Sequence, residues 1–323
     1  MKGKLNFNEA LKQIRGTALP KRASLQGLSD ISAEEEERLG PVWPNLPVER
    51  RRWLLHTLAE LADDNSELDF TYVYRVALDD PDEEVRATAV DALWECKDDA
   101  IAEHLLRLLM DDRSADVRAT AASGLGQFTY LMEMGELDEE LGQRIRAALL
   151  ATVFGPQPLE VRQEAVEALG YLADDREVEH ILAAAYGDRE PSMRISSVFA
   201  MGRSADVRWL DTLLGELASE DEEMRFIAAR ALGEIGDERA VPALLKLLLD
   251  PDAEVRLATV EALGPIGGEQ AIKALRALKQ GEDEALATAA EEALQEAEFL
   301  QSPLNLGLAD VGLDVKSLGK RKK

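Results

Sequence analysis

Two Glu-His dipeptides, Glu103-His104 and Glu179-His180, are the most reactive-looking pairs in this chain, because a carboxylate beside an imidazole can share a metal ion or relay a proton. Both fall at matching places on helices two repeating units apart. At roughly 10 Å per layer of packed helices they cannot close around one ion, so they and His56 read as solvated histidines. Paired carboxylates such as Glu164 and Glu167, or the run Glu220-Asp221-Glu222-Glu223, have no histidine beside them and read as helix ends facing water. There is no Cys-x-x-Cys, no phosphate-cradling glycine loop and no nucleophile elbow. Cys96 is the lone cysteine, which rules out an internal disulfide, and beside Trp94 in helical register it reads as a packed, inert thiol. These patterns assign no catalytic residue, no metal and no cofactor. What remains is a column of arginines, and its meaning depends on the elements that carry it.

The unit Val-Arg-x-x-Ala-x-x-Ala-Leu-Gly recurs from Val85-Arg86, Val117-Arg118, Val161-Arg162, Met193-Arg194, Met224-Arg225 and Val255-Arg256, with a degenerate copy at Leu286-Ala287. Successive starts lie 32, 44, 32, 31, 31 and 31 residues apart. A period of that length is the signature of stacked helix pairs, in which a first helix A ends at an acidic turn and a second helix B carries the motif. Eight pairs are expected, near 32–62, 66–98, 99–128, 138–173, 174–205, 206–236, 237–267 and 268–300, giving an all-α solenoid. Ser32 and Glu35 form a capping box that opens the first pair. Small residues at Ala89, Ala121, Ala165, Ser197, Ala228 and Thr259 let layers approach closely, and the glycines Gly126, Gly170, Gly202, Gly233 and Gly264 fall where B helices end or loosen. The twelve extra residues of the long interval surround Thr129–Leu137; they read either as a protruding Met-containing loop or as a longer helix pair.

The net charge of the 323 residues is −26, and it is unevenly spread. Residues 1–28 carry +5 and residues 303–323 carry +3, so the body between them carries −34. The expected organisation is a flexible basic N-terminal segment at 1–28, the solenoid at 29–302 and a flexible tail with a basic end at 303–323. Phe7, Ala10, Leu11 and Ile14 share one side of a possible short helix, which would need a surface to fold on. No apolar run is long enough for a membrane span or a signal peptide, so a cytoplasmic protein is expected.

These residues resemble the HEAT repeat, in particular the short variety of the phycobilisome-lyase HEAT-like proteins. The best match is residues 221–256, and the likeness extends over about residues 45–300. The resemblance implies that Arg86, Arg118, Arg162, Arg194, Arg225 and Arg256 pair with turn aspartates of neighbouring repeats, for which Asp82, Asp116, Asp188, Asp221 and Asp252 are available. With that ladder and a strongly acidic body, nucleic acid is not expected along the solenoid. Deoxyhypusine hydroxylase is similar to this repeat, with His-Glu pairs on B helices that hold two irons. Here Gln163 stands where such a histidine is required, so the di-iron reading fails on its ligands.

The resemblance also implies that B helices line the concave side. Residues spaced i, i+4, i+8 along them give an apolar strip of Tyr171, Ile195, Phe199, Phe226 and Leu257, flanked by Glu167, Arg203, Arg230 and Glu261. Aromatic anchors in a charged rim suit a protein partner, although the same side chains could pack between adjacent B helices. The first functional reading is therefore an interaction scaffold for a basic or amphipathic segment. The alternatives are an enzyme subunit of the lyase or modifying type, and a module whose basic tails fold back onto its acidic body.

Overall fold

In the computed structural model, which describes residues 6–301, the described residues form α-helices and short 3₁₀ turns without a strand. The helices are α1 (Phe7–Arg15), α2 (Arg22–Leu25), α3 (Ala33–Leu39), α4 (Val48–Asp64), α5 (Thr71–Ala77), α6 (Glu83–Asp91), α7 (Asp99–Asp111), α8 (Ala115–Glu133) and α9 (Glu139–Phe154). They continue as α10 (Leu159–Leu169), α11 (Arg176–Tyr186), α12 (Pro191–Arg203), α13 (Leu210–Glu216), α14 (Glu222–Ile235), α15 (Val241–Leu247), α16 (Ala253–Ile266), α17 (Gly268–Leu278) and α18 (Glu284–Gln301). From α3 onward they pair as A and B, and the fold is an α-solenoid. The chain divides into two compact units, Met1–Ala200 and Met201–Lys323.

Aspartate opens six of these helices, because its carboxylate accepts the unpaired N–H groups of a first turn and favours the positive end of the helix dipole. Asp82, Asp98, Asp138, Asp175, Asp221 and Asp252 each cap in this way. Ser32 and Glu35 complete the expected capping box of α3. The small-residue column lies in the core: Ala89, Ala121, Ala165, Ser197, Ala228 and Thr259 are all fully buried.

The glycine column serves packing more than helix termination. Gly202, Gly233 and Gly264 lie inside α12, α14 and α16. A Cβ at Gly170 would stand 2.8 Å from Ala200 Cα, one at Gly202 2.6 Å from Ala231 Cα, and one at Gly233 2.9 Å from Ala262 Cα. Glycine is required there because the next B helix lies against the backbone itself. The long interval is resolved as helix: α8 runs through Glu133 and turns at Gly135, whose φ is +71°.

The arginine ladder is present, with a correction to its partners. Arg86 donates from Nε and Nη2 to Asp112 at 2.7 Å each, and Arg225 likewise to Asp250 at 2.8 and 3.0 Å. Arg51 donates from Nη2 to Asp80 at 3.0 Å; its Nε stands 2.7 Å from the other Asp80 oxygen, but that N–H is not aimed at it. The paired carboxylate is thus the first aspartate of the turn, Asp80, Asp112 or Asp250. The expected Asp82 and Asp252 instead cap the next helix, and Asp82 also takes Arg52 at 2.9 and 2.7 Å. Four column arginines also tie their own turns, since Nη1 of Arg86, Arg118, Arg225 and Arg256 donates to the carbonyls of Asp80, Asp112, Ser219 and Asp250. Arg118, whose following turn has no aspartate at that place, donates to Gln157 Oε1, whereas Arg162 donates to the Val153 carbonyl although Asp188 holds that place in its following turn.

Residues 6–28, expected as a flexible leader, are helical and packed in the first unit. Phe7, Ala10, Leu11 and Ile14 are buried, as are Leu25 and Leu28 of the following turn. Arg50 of α4 donates to the carbonyls of Ile14, Gly16 and Thr17 at the C-terminal end of α1, and the Arg38 guanidinium lies 5.1 Å over the Phe7 ring. The backbones meet so closely that a Cβ on Gly27 would stand 2.7 Å from the Asn6 carbonyl oxygen. The short helix is stable because the first layer supplies the surface it lacks in isolation; such terminal covers are general in stacked-repeat proteins. The tail at 303–323 lies outside the described residues.

Candidate interaction surface on the B helices

The strip read from the sequence divides between the two units. In the first, Glu167 and Tyr171 follow from α10, and Ile195 and Phe199 from α12; all four are half-buried. Ser196 donates to Glu167 Oε1 at 2.7 Å, and Gln163 to Ser196 Oγ at 3.3 Å, so the position where a di-iron enzyme needs histidine is part of a hydrogen-bonded tie between neighbouring B helices. The Tyr171 ring meets Tyr130 of α8 edge-on, with centroids 5.5 Å apart. Tyr130 was outside the sequence strip, because it lies in the extra length of α8, beyond the end of the repeated motif.

In the second unit, Phe226 and Leu257 are half-buried, as is Arg203, while Arg230 and Glu261 are exposed. The Arg230 guanidinium lies 5.8 Å over the Phe226 ring, one helical turn on, where residues at i and i+4 share a face. Arg203 and Arg230 both face Glu234; desolvation raises the carboxyl of this residue, solvent-accessible as it is, against their pull. Half-burial is the common property of the strip. These residues form the shoulders between stacked B helices, neither inside the core nor standing free of it.

Carboxylates on successive helices of the first unit act on one another. Desolvation raises the Asp91 carboxyl above the ordinary range, and Asp116 and Glu164 raise it further. Glu133 is raised likewise, by burial and then by Asp174 and Asp175. Asp91 is on α6 and Glu164 on α10, so carboxylates two layers apart act on one another.

The histidines separate. His56 and His180 are exposed, as expected, but His104 is half-buried against Arg107 and 3.4 Å from Asp79, and burial lowers its pKa. It lines an open groove of about 800 Å3 between α7 and α9, with the ion pair Glu103–Arg144 across it and Met110 and Ala151 on its walls. Sequence reasoning missed this groove because it lies on A helices; the out-of-pattern Met110 and Phe154, both exposed, were the available signal. Among the described residues no three His, Cys, Asp or Glu side chains are placed to hold a metal ion, and no helix is long and apolar enough to cross a membrane.

Comparison with known proteins bears on the same layers. The family described as HEAT repeats matches residues 74–151 and 210–295, half of the chain. The protein belongs to the HEAT-repeat family. No curated protein matches the sequence. Among solved HEAT-like structures, the complex of CpcE and CpcF of phycocyanin lyase from a Nostoc species is 15% identical with a TM-score of 0.53, over 87% of this chain and 96% of that one. Escherichia coli YibA is 20% identical with a TM-score of 0.42, over 82% and 98%. Human deoxyhypusine hydroxylase is 22% identical with a TM-score of 0.36, over 82% and 96%. At these identities the likeness is one of fold.

Proposed function

We propose that this HEAT-repeat protein is a non-catalytic interaction scaffold that receives a basic or amphipathic protein segment on its B helices. The observation that carries the reading is the composition of those shoulders: half-buried Tyr171, Ile195, Phe199, Phe226 and Leu257 beside Glu167, Arg203, Arg230 and Glu261, in a body of net charge −34. Apolar rings supply desolvated contact area and the charged neighbours fix orientation. The excess of carboxylates selects cationic partners and speeds their approach.

The test is a labelled amphipathic helix rich in Lys and Leu, titrated with the full chain by fluorescence anisotropy. Binding is expected at low salt and weaker binding at high salt. Replacing Phe199 and Phe226 together by Ser is expected to weaken it at least tenfold while helix content and melting stay near those of the parent. A double variant that melts much earlier would place both rings in the core and end this reading.

A further inference from the structure

One position in the first unit departs from the packing rule of Gly170, Gly202, Gly233 and Gly264. In the glycine column, the next B helix leaves no room for a Cβ at Gly170, Gly202 or Gly233, nor at Gly264, where it would stand 3.1 Å from Ala293 Cα. The first copy of the motif has Trp94 at that place. An indole cannot enter so close a contact. α6 stops at Asp91, three residues before the column, and α10 stops one residue before it, whereas α12, α14 and α16 run past it. The chain then turns, with Leu93 N–H donating to the Val90 carbonyl at 3.0 Å and Cys96 N–H to the Leu93 carbonyl at 2.8 Å. Leu93 is buried and Trp94 is 69% exposed. The layer gives up part of its helix and leaves its largest side chain in water, which packing does not explain.

The surroundings select what could cover it. Exposed Asp91 and Glu95 bracket the indole, and Asp98 and Asp99 follow, with Lys97 the single cation between residues 91 and 99. Asp91 also feels the charges of Asp116 on α8 and Glu164 on α10. Two more aromatic side chains, Tyr130 and Tyr171, meet at the C-terminal ends of the next two B helices. An indole face attracts cations through its quadrupole, and nearby carboxylates strengthen that attraction while repelling phosphate and acidic chains.

We infer that Trp94, with Asp91 and Glu95, anchors a Lys/Arg-rich segment of a partner protein at the end of α6. The inference rests on the scaffold reading for the charge of the partner, and on none of the residues that carry that reading. One cation of the segment stacks on the indole while its neighbours pair with Asp91 and Glu95.

The experiment titrates the full chain against a short labelled peptide of Lys, Arg and Ser. Trp94→Gly restores the residue the column takes elsewhere and leaves the net charge untouched, so any loss of affinity cannot come from diffuse attraction. Affinity is expected to fall about tenfold, with Trp94→Phe intermediate and Asp91→Asn with Glu95→Gln reducing both affinity and its salt dependence. If Trp94→Gly perturbs the fold, Trp94→Phe still serves: only the parent should show a blue-shifted indole emission as peptide is added. Unchanged affinity in Trp94→Gly, or no emission change in the parent, overturns the inference. So does tighter binding of a peptide spanning residues 302–323, which would assign the surface to the chain's own tail. If only the Phe199 and Phe226 double variant weakens binding, the scaffold reading stands and this anchor falls; if only Trp94→Gly does, the anchor stands and the strip falls; if neither does, both fall.

Discussion

Asp250 serves two layers at once: its carboxylate accepts the Arg225 guanidinium at 2.8 and 3.0 Å, and its carbonyl accepts Arg256 Nη1 at 2.8 Å. A single turn residue therefore ties the B helix before it to the B helix after it. The pair is largely removed from solvent, with the Arg225 and Asp250 side chains 13% and 7% exposed, so screening by water and salt discounts it little. The hydrogen bonds from Arg225, joined by the N–H of Asp252, hold the Asp250 carboxyl below the usual carboxylate range.

Asp250→Asn is expected to lower the stability of the second unit by about 2 to 3 kcal/mol at neutral pH, because it leaves the guanidinium without a counter-charge. A carboxyl depressed in the folded state contributes stability that is complete above its unfolded pKa of about 3.9 and is lost as pH falls through the lower folded value. The gap between parent and variant is therefore expected at pH 7, should begin to narrow below about pH 4, and should vanish below the depressed folded value. Urea unfolding followed through Trp209, which lies in the same unit, measures it at both pH values. A gap that persists at low pH would mean that the ion pair is not its source.

The ladder also shows where sequence reasoning reached and where it stopped. Periodicity placed every helix pair, the Ser32 cap and the buried column from Ala89 to Thr259, because each depends on residues near in sequence. It assigned the wrong carboxylate in Asp80-Pro81-Asp82 and Asp250-Pro251-Asp252. Both acids are chemically competent, and only the stacking of layers shows that the first turns back to an arginine while the second caps a helix. The same limit applies to α1, whose four apolar residues were visible but whose docking surface, Leu25, Leu28 and Arg50, was not. Spacing alone could not show that Tyr171, Phe199 and Phe226 are half-buried, neither in the core nor free of it. Trp94 was overlooked because it was read beside Cys96 and not in the column it shares with Gly170.

Close approach at that column predicts a sharp contrast between two glycines of the second unit. A Cβ at Gly202 would stand 2.6 Å from Ala231 Cα, whereas nothing lies within 4 Å of one at Gly215. Gly202→Ala is expected to cost about 2 to 3 kcal/mol, since backbone must move to admit a methyl group. Gly215→Ala, inside α13, is expected to be neutral or stabilising by up to about 1 kcal/mol, because alanine has the higher helix propensity. Thermal melts of the two variants side by side check this, and equal melting temperatures would show that the layers are looser than the contact distance implies.

The N-terminal cover gives the last prediction. Burial of Phe7, Leu11 and Ile14 contributes roughly 1.5 to 3 kcal/mol each to the docking of α1, and the entropy of ordering the helix leaves only a small margin. Ile14 is fully buried, and Ile14→Asp places a charge where it can be neither hydrated nor paired, which exceeds that margin. Release of α1 is expected to uncover the apolar face formed by Leu25 and Leu28 and to leave the second unit unchanged. Hydrogen exchange should show the amides of α1 losing protection while those of α14 and α16 keep theirs, and limited proteolysis should cut ahead of residue 28 faster than in the parent. Arg50→Ala, which frees the carbonyls of Ile14, Gly16 and Thr17, should produce the same pattern more weakly. Retained protection of α1 in Ile14→Asp would mean that its hold comes from the Arg50 and Arg38 contacts and not from its buried face.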